Sequence, residues 1–393
     1  MSTVQTVNIK NAASVSNNIV LDGSGNAAFA GNVTAAGNVT STGMVVPSSS
    51  FLRNRIINGD MRIDQRNAGA SISVTATGFP VDRFYVSANS FGVISGQRST
   101  VAPAGFTNSA LMTVTTARSS IAASDVYGIR QAIEGFNTAD FGWGAAGAQT
   151  VTLSFWVRSS ITGTYTVSLF NAAFNRSYVA TYTVNSANTF EYKTVTVPGD
   201  ATGTWATDNT ASVNVFWDLG SGSNFQATAN SWVASGSLRT SGSTNWISTN
   251  GATFYLTGVQ LEVGSAATPF ERRLYGQELA LCQRYFEKSY DTSTAVGTLT
   301  TSGNFGMYCS GASSFFNGIG ASVGFATEKR TITTITTYSP VTGASGRMRD
   351  IQNVTDINSF VAYNNTRSFF CYGQPAQNSS VNVYFQWTAS AEL

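Results

Sequence analysis

Alternating apolar and polar residues dominate the chain between residues 51 and 273. In VTLSFWVRS, Phe155 and Val157 fall on one side and Trp156 on the other, because neighbouring side chains of a strand point to opposite faces of its sheet. Several such runs, separated by Gly, Ser and Asn, predict an antiparallel sandwich with a jelly-roll-like size. The other residues that this alternation places in the core are Val151, Leu153, Tyr165, Val167, Leu169, Val213, Val215, Trp217, Leu219, Tyr255, Val259, Leu261 and Val263.

The pattern changes in TFYLTGVQLEVGSAATPFERR, residues 253–273. The alternation stops before Pro269, and a cluster of one acid and two bases follows in a chain that has few charges. We interpret this stretch as the last strand of the sandwich and the exit into a helix. Glu271 then lies near the start of that helix, where a negative charge is favoured.

A short connector helix is predicted over residues 274–289. LYGQELALCQRYF carries apolar side chains at spacings of four, three and four, which is one stripe of an amphipathic helix. The stripe also fits a coiled-coil seam of less than two heptads, so it either packs on the sandwich or contacts other copies of the chain. Residues 290–393 return to strand-like sequence and predict a smaller C-terminal β domain. The stripe residues, which are candidate oligomerisation contacts, are Tyr275, Leu279, Cys282 and Phe286.

The first fifty residues contain a six-residue repeat. Glycine recurs at positions 25, 31, 37 and 43, and this period predicts short strands joined by Gly-Asn turns. One or two apolar side chains in each unit cannot offset the entropy lost on ordering. We therefore predict that residues 1–50 hold an attachment segment and a slender oligomeric shaft, in which three chains bury Val33, Val39 and Val45 around a shared axis. A flexible linker is the alternative.

Composition excludes several classes of function. Only 11% of the 393 residues are charged and the net charge is +2, which gives no field for steering nucleic acid or anionic lipid. No apolar run reaches the roughly 20 residues that span a bilayer, and the start MSTVQTVNIKNA lacks a signal-peptide layout. The absence of histidine excludes Ser-His-Asp and Cys-His catalysis. We expect no cofactor and no membrane insertion, and no catalytic residue can be named.

The cysteines indicate neither a disulfide framework nor a zinc site. Cys282, Cys309 and Cys371 are three in number and have no C-x-x-C spacing. We expect free buried thiols. Whether a structural metal binds elsewhere is left open by the sequence.

Six separated motifs occur in order along the chain: RNRIINGDMRIDQRNAG (53–69), FPVDRFYV (79–86), VYGIRQAIEG (126–135), VTLSFWVRSS (151–160), FYLTGVQLEVGSAATPFERR (254–273) and LALCQRYF (279–286). Together they resemble tail fibre proteins of tailed bacteriophages and prophages. The resemblance covers roughly residues 51–290 and implies a jelly roll related to carbohydrate-binding modules. It also implies a homotrimeric fibre in the viral tail that helps to recognise the host surface. The partners would then be other copies of the chain, a tail or baseplate protein at the N-terminus, and a host glycan.

Candidate sugar-binding residues are those that fall on the polar side of the strands. Proteins hold sugars by stacking aromatic rings on their apolar faces and by pairing planar amides and carboxylates with their hydroxyls. The alternative is that a neighbouring subunit or the helix covers this face. The candidates are Trp156, Arg158, Asn214, Phe216, Asp218, Gln260 and Glu262, with Trp143 and Trp246 in loop-like settings and Tyr308, Phe315, Phe316 and Tyr363 in the C-terminal domain.

The leading hypothesis is a receptor-binding fibre protein of a virion without enzymatic activity. A fibre-borne polysaccharide depolymerase would instead need two carboxylates about 5 to 10 Å apart in one groove. A purely architectural fibre remains open. A non-viral adhesin is disfavoured by the start of the chain and by the six-residue repeat.

Overall fold

A computed structural model describes the backbone of residues 8–9, 19–21 and 27–29, together with residues 53–89, 91–309, 319–374 and 381–393. The chain forms two compact units, Met1–Ser50 and Phe51–Leu393. In the first unit three short strands, β1 (Asn8–Ile9), β2 (Ile19–Leu21) and β3 (Ala27–Phe29), pair antiparallel in that order. Most of the predicted shaft, including Val33, Val39 and Val45, lies outside the described residues, and the shaft stays a prediction.

The first part of the second unit is an antiparallel sandwich, as predicted. One sheet has the strand order β13-β10-β16-β8-β7-β4 and the other the order β15-β12-β11-β14-β9-β6-β5. The strands are β4 (Ile72–Val74), β5 (Thr77–Val81), β6 (Phe84–Ser87), β7 (Val93–Ser99), β8 (Ser109–Thr116), β9 (Gly128–Glu134), β10 (Val151–Ser159), β11 (Gly163–Asn171), β12 (Ser177–Val184), β13 (Glu191–Val197), β14 (Ala211–Asp218), β15 (Trp232–Val233) and β16 (Thr253–Val263). Short 3-10 turns lie at Gly135–Asn137, Ala139–Phe141, Ser223–Phe225 and Trp246–Ser248.

The core lies between the two sheets. Phe155 and Trp217 are fully buried there, which confirms their predicted placement, and their ring centroids lie 5.6 Å apart in an edge-to-face arrangement. Such a pair adds about 0.5–1.5 kcal/mol to the stabilisation from area burial. Replacing Trp217 with Ala would cost about 3–5 kcal/mol, because the surrounding side chains fill the cavity only in part.

The last strand of the sandwich departs from strict alternation. Leu256 and Val259 are both fully buried, although an unbroken strand would place them on opposite faces. Gly258 lies between them with φ +60°, and the pairing of β16 with β10 shifts register at this point. The β-bulge moves Tyr255 to the outer surface, and Val263 at the strand end is 38% exposed. The prediction that Tyr255 and Val263 face the core is therefore wrong.

The helix α1 spans Tyr275–Gln283 and is shorter than predicted, since Phe286 already begins a strand. Cys282 is fully buried in a small apolar cluster with Ile57 and Ile63, and Leu279 packs against that cluster. Phe286 is 6% exposed. The buried stripe residues are thus covered within their own chain, which corrects the assignment of Cys282 and Phe286 as oligomerisation contacts. Tyr275 is 45% exposed.

The C-terminal strands form a sheet with its own apolar cluster, which contains Met348, Phe369 and Trp387. Its longest strand, Val381–Ser390, pairs directly with the strands Phe286–Lys288, Phe305–Cys309, Thr334–Tyr338 and Arg347–Asp350. The described part of the chain holds no helix that is long and apolar enough to cross a membrane. The strands are β17 (Phe286–Lys288), β18 (Phe305–Cys309), β19 (Ile319–Gly324), β20 (Thr334–Tyr338), β21 (Arg347–Asp350), β22 (Thr355–Ala362), β23 (Ser368–Gly373) and β24 (Val381–Ser390).

Two of the three cysteines confirm the expectation of free buried thiols. Cys282 and Cys371 are fully buried and unpaired. Burial raises the pKa of the Cys371 thiol to about 12. The side chain of Cys309 lies outside the described residues.

The charged cluster after Pro269 fixes the junction between sandwich and helix. The Glu271 carboxylate accepts a hydrogen bond from the backbone N–H of Asn54 at 2.8 Å. The Arg273 guanidinium donates to the backbone carbonyls of Asn54 and Ile56 and forms an ion pair with Glu278. The cluster therefore ties the segment after residue 52 to the end of the sandwich and to the first turn of α1.

A second buried contact joins the sandwich to the C-terminal sheet. Glu134, at the end of β9, is 1% exposed. Its carboxylate accepts hydrogen bonds from Arg284 Nε at 2.9 Å and from the Tyr285 hydroxyl at 2.7 Å. Because an uncompensated buried charge is costly, this contact stabilises the packing of the two parts only while all three groups are present.

Candidate functional site

A groove of about 720 Å³ lies on the outer face of the sheet that contains β10, β13 and β16. We call it the aromatic groove. Aromatic, small and polar side chains and one arginine line it. The lining residues are Ala104, Phe106, Ser154, Trp156, Tyr192, Gly258, Ala267, Thr268, Pro269, Phe270 and Arg272.

Trp156 and Tyr192 form the floor of the aromatic groove, and strand alternation explains why both face outward. Trp156 lies between the buried residues Phe155 and Val157 on β10, so its ring faces away from the core. Tyr192 lies directly opposite Trp156 on β13, and the two ring centroids are 5.4 Å apart. Trp156 is half-buried and Tyr192 is 44% exposed. The pair therefore offers ring surface to a ligand.

The bulge at Gly258 allows a second aromatic pair to approach the first. A Cβ atom at this position would lie 2.8 Å from Phe106 and 2.9 Å from Trp156, which is too close for either ring to stay in place. The Phe106 and Phe270 ring centroids are 5.2 Å apart. The Arg272 guanidinium lies 4.8 Å from the centroid of Phe106, within cation–π distance. The groove thus combines four aromatic rings with one cation.

Gln260 and Glu262 support one wall of the groove from behind. Both side chains are buried, at 0% and 2% exposure. The Glu262 carboxylate accepts hydrogen bonds from the Thr268 N–H at 2.8 Å and from the Thr268 hydroxyl at 2.6 Å. The Gln260 amide oxygen accepts from the Glu271 N–H at 2.7 Å. Their predicted role as direct sugar ligands is corrected, because both side chains hold the loop after β16.

Arg158 lies outside the lining of the aromatic groove, on the same face of β10 as Trp156. It lies opposite Tyr255, and its guanidinium is 5.0 Å from the Tyr255 ring centroid and 5.8 Å from that of Phe190. Positions 156 and 158 share a face, so Arg158 lies one strand repeat, roughly 7 Å, beyond Trp156. The predicted pair Trp156 and Arg158 is therefore brought together on one surface.

The three candidates on β14 belong to the opposite sheet and do not join this groove. Phe216 is 2% exposed and packs with Phe170 and Leu238 beneath a separate depression of about 560 Å³, which Asn214 also lines. Asp218 is 1% exposed, lies 3.7 Å from Arg239, and has its pKa raised by burial. Asp218 and Phe216 are thus internal, contrary to the prediction of one shared face.

Trp143 and Trp246 are also packed side chains. Trp143 is 8% exposed, and its ring lies 4.7 Å from that of Trp205 and 5.2 Å from that of Trp232. Its Nε1 donates to the backbone carbonyl of Gln149 at 2.8 Å. Trp246 is fully buried in the core. The loop-like sequence around them predicted exposure that the fold does not give.

The sequence could have indicated one of the missed groove residues. EYKTVTV alternates, and Val195 and Val197 are buried, so Tyr192 is assigned to the outer face by the same rule as Trp156. Phe106 and Phe270 lie outside the strands, where periodicity gives no direction. Their convergence depends on tertiary packing and on the bulge.

The C-terminal sheet carries further exposed rings. Tyr308 is 67% exposed and Tyr363 is 85% exposed. Phe315 and Phe316 lie outside the described residues. Within the ranges that the structure describes, no group of three His, Cys, Asp or Glu side chains could hold a metal ion.

Comparisons with known proteins find similar folds but no sequence relative. No protein-family model matches the chain, and no curated protein does. The structural neighbours include carbohydrate-binding modules and a phage tailspike domain. The enzymatically active domain of tailspike protein 4 of bacteriophage CBA120 is 11% identical, with a TM-score of 0.28, over 54% of this chain and 21% of that one. The present chain therefore spans about a fifth of the tailspike chain.

Two of the carbohydrate-binding modules come from Clostridium thermocellum. The C-terminal family 22 module of a xylanase is 14% identical with a TM-score of 0.25, over 44% of this chain and 84% of that one. The family 11 module of a cellulosomal cellulase is 11% identical with a TM-score of 0.26, over 54% of this chain and 96% of that one.

Proposed function

We propose that this chain binds a glycan through the aromatic groove. The observation that supports this is the set of rings that converge there, with Trp156 and Tyr192 on the floor and Phe106 and Phe270 beside them. Aromatic rings stack on the apolar faces of sugars, and a guanidinium such as that of Arg272 donates to oxygen acceptors in a planar fork. The groove volume of about 720 Å³ also lies in the range of roughly 300–1,000 Å³ that small-ligand sites occupy.

We propose binding without hydrolysis. The groove presents rings and a guanidinium, whereas glycoside hydrolysis uses two carboxylates about 5 to 10 Å apart. A fibre-borne depolymerase is the alternative. Release of oligosaccharide from a bound polysaccharide would support the depolymerase and overturn this part of the proposal.

The biological setting that we propose is a homotrimeric tail fibre of a virion, which attaches through its N-terminal residues and recognises host-surface glycan during adsorption. The ordered motifs between residues 53 and 286 support it by resemblance. Light scattering on the full chain and on the chain from Phe51 tests the trimer. A trimeric mass of the full chain is expected, and a monomeric mass of both would overturn the fibre.

The binding proposal is tested on an array of purified bacterial surface polysaccharides with the labelled full chain. Wild type is expected to bind a subset of them. Trp156→Ala is expected to lower affinity at least about 30-fold, because truncating an anchoring aromatic typically costs 2 kcal/mol or more. Phe136→Ala, which removes a 62% exposed ring outside the groove, is the matched control and should bind as wild type.

Thermal melting of each variant shows whether its fold is intact. If Trp156→Ala melts like Phe136→Ala and binds like wild type, the aromatic groove is not the binding site. If wild type binds no polysaccharide, the chain is better described as a purely architectural fibre.

A further inference from the structure

Arg158, on β10 beside the aromatic groove, has no hydrogen-bond or ion-pair partner among the residues that the structure describes. The Arg158 guanidinium lies over the rings of Tyr255 and Phe190, and its Nε is buried without a hydrogen-bond acceptor. Among the described residues, no hydrogen bond or ion pair reaches any of its nitrogens. An arginine otherwise forms charge-assisted hydrogen bonds when it is partly buried, because its five N–H donors are costly to leave unmet.

The second cation of this surface is only partly engaged. Arg272 donates one hydrogen bond, to the backbone carbonyl of Gly105, and its guanidinium otherwise lies against the Phe106 and Phe270 rings. A guanidinium carries five donors, so most of those of Arg272 remain for a ligand.

The nearby carboxylates do not neutralise these two cations. Glu262 is buried and engaged by Thr268. Glu191 forms an ion pair with Lys193 at 2.6 Å. Glu191 and Lys193 flank Tyr192 on β13 and therefore lie on the opposite face of the strand from it. The described lining of the aromatic groove contains no Asp or Glu. The outer face around Trp156 therefore carries several aromatic rings and two cations, Arg272 in the lining of the aromatic groove and Arg158 beside it on β10.

We propose that the aromatic groove selects acidic glycans, in which sugars that stack on Trp156 and Tyr192 carry a carboxylate or phosphate that pairs with Arg158 or Arg272. The inference rests on the proposed glycan-binding function. A planar guanidinium pairs with either anion through two parallel N–H donors, and this chemistry is common to uronate-bearing and phosphate-bearing polysaccharides. A neutral glycan would leave both guanidinium groups without an anion.

The test uses the full chain and three sets of probes: neutral, uronate-bearing and phosphate-bearing bacterial polysaccharides. Each acidic probe is paired with its carboxyl-reduced or dephosphorylated counterpart. We expect binding to the acidic probes and a loss of about tenfold to a hundredfold on the neutralised ones, which is the range for a charge-assisted hydrogen bond. The neutralisation that abolishes binding identifies the anion. Binding should also weaken from 50 to 500 mM salt, because salt screens exposed charges.

At least one of the variants Arg158→Gln and Arg272→Gln is expected to lose affinity for acidic probes by about tenfold or more. The Lys variant at the same position should retain part of that affinity, because Lys keeps the charge without the planar fork. The control Arg367→Gln removes one charge from a 78% exposed side chain on the C-terminal part and should bind as wild type. It separates a local effect from a change in net charge.

The outcomes distinguish this inference from the proposal on which it rests. If neutral and acidic probes bind equally and Trp156→Ala abolishes the binding of both, the groove binds glycans but does not select acidic ones. The same holds if Arg158→Gln and Arg272→Gln both bind acidic probes as wild type. Failure of wild type to bind any probe would overturn both.

Discussion

Replacement of Gly258 with Ala tests whether the β-bulge builds the aromatic groove. Gly258 has φ +60°, and a Cβ there would lie 2.8 Å from Phe106 and 2.9 Å from Trp156. An Ala in the left-handed region costs roughly 1–2 kcal/mol. Displacing packed side chains costs about 1–3 kcal/mol more. We therefore expect Gly258→Ala to lower the free energy of unfolding by about 2–5 kcal/mol and to weaken glycan binding, because the Trp156 ring must move.

Gly142 provides a matched control for the backbone contribution. It has the same φ of +60°, and nothing lies within 4 Å of a Cβ built on it. Gly142→Ala should lose only the roughly 1–2 kcal/mol of backbone strain and should bind glycan as wild type. The entropy that Ala removes from the unfolded chain is similar in both variants, so it cancels in the comparison.

Urea unfolding and glycan titration of the two variants give the result. A second variant, Gly258→Ala with Phe106→Ala, should recover part of the stability, since it removes one of the two clashing rings. If Gly258→Ala and Gly142→Ala lose equal stability and both bind as wild type, the bulge does not position the rings and the reasoning is refuted.

Three further predictions concern the contact between the sandwich and the C-terminal sheet, the loop beside the aromatic groove, and the pH dependence of stability. Glu134→Ala should lower the free energy of unfolding by about 3 kcal/mol, because Arg284 and Tyr285 lose their buried partner; a loss in urea unfolding no larger than that of Tyr285→Phe would contradict this. Glu262→Ala should weaken glycan binding by releasing the Thr268 loop, and unchanged titrations would refute that role. Burial lowers the pKa of Lys288 from 10.5 to about 8, so between these pH values the folded chain holds fewer protons than the unfolded chain and stability from this group rises with pH. The unfolding free energy of wild type minus that of Lys288→Met should therefore increase from about pH 8 to about pH 9.5. A constant difference would show that Lys288 does not titrate there.

The sequence predicted the fold better than it predicted the site. Alternation assigned the core residues Phe155 and Trp217 correctly, because β10 pairs in regular register with β13 and β14 with β11 around them. The same rule failed for Tyr255, since one glycine bulge reverses the faces of the residues on one side of it. Alternation gives the side of a strand that a residue takes, but it does not show what covers that side.

The sequence predicted only part of the candidate site, because alternation does not show which outer faces are covered. Trp156 and Arg158 lie on an open face, whereas Gln260 and Glu262 lie under a loop that folds back over their strand. Phe270 comes from that loop, whose path is set by hydrogen bonds to these two buried side chains. A strand pattern contains no information about such a path. The helix stripe likewise showed an apolar face without showing that the covering surface belongs to the same chain.

The most direct test of glycan binding is to locate the bound sugar in a crystal structure of the full chain with a polysaccharide fragment selected on the array. We predict a sugar ring stacked on Trp156 within the aromatic groove, with an acidic substituent at Arg158 or Arg272. A sugar bound instead at the depression near Phe216, or on the C-terminal sheet, would contradict the assignment of the aromatic groove as the binding site.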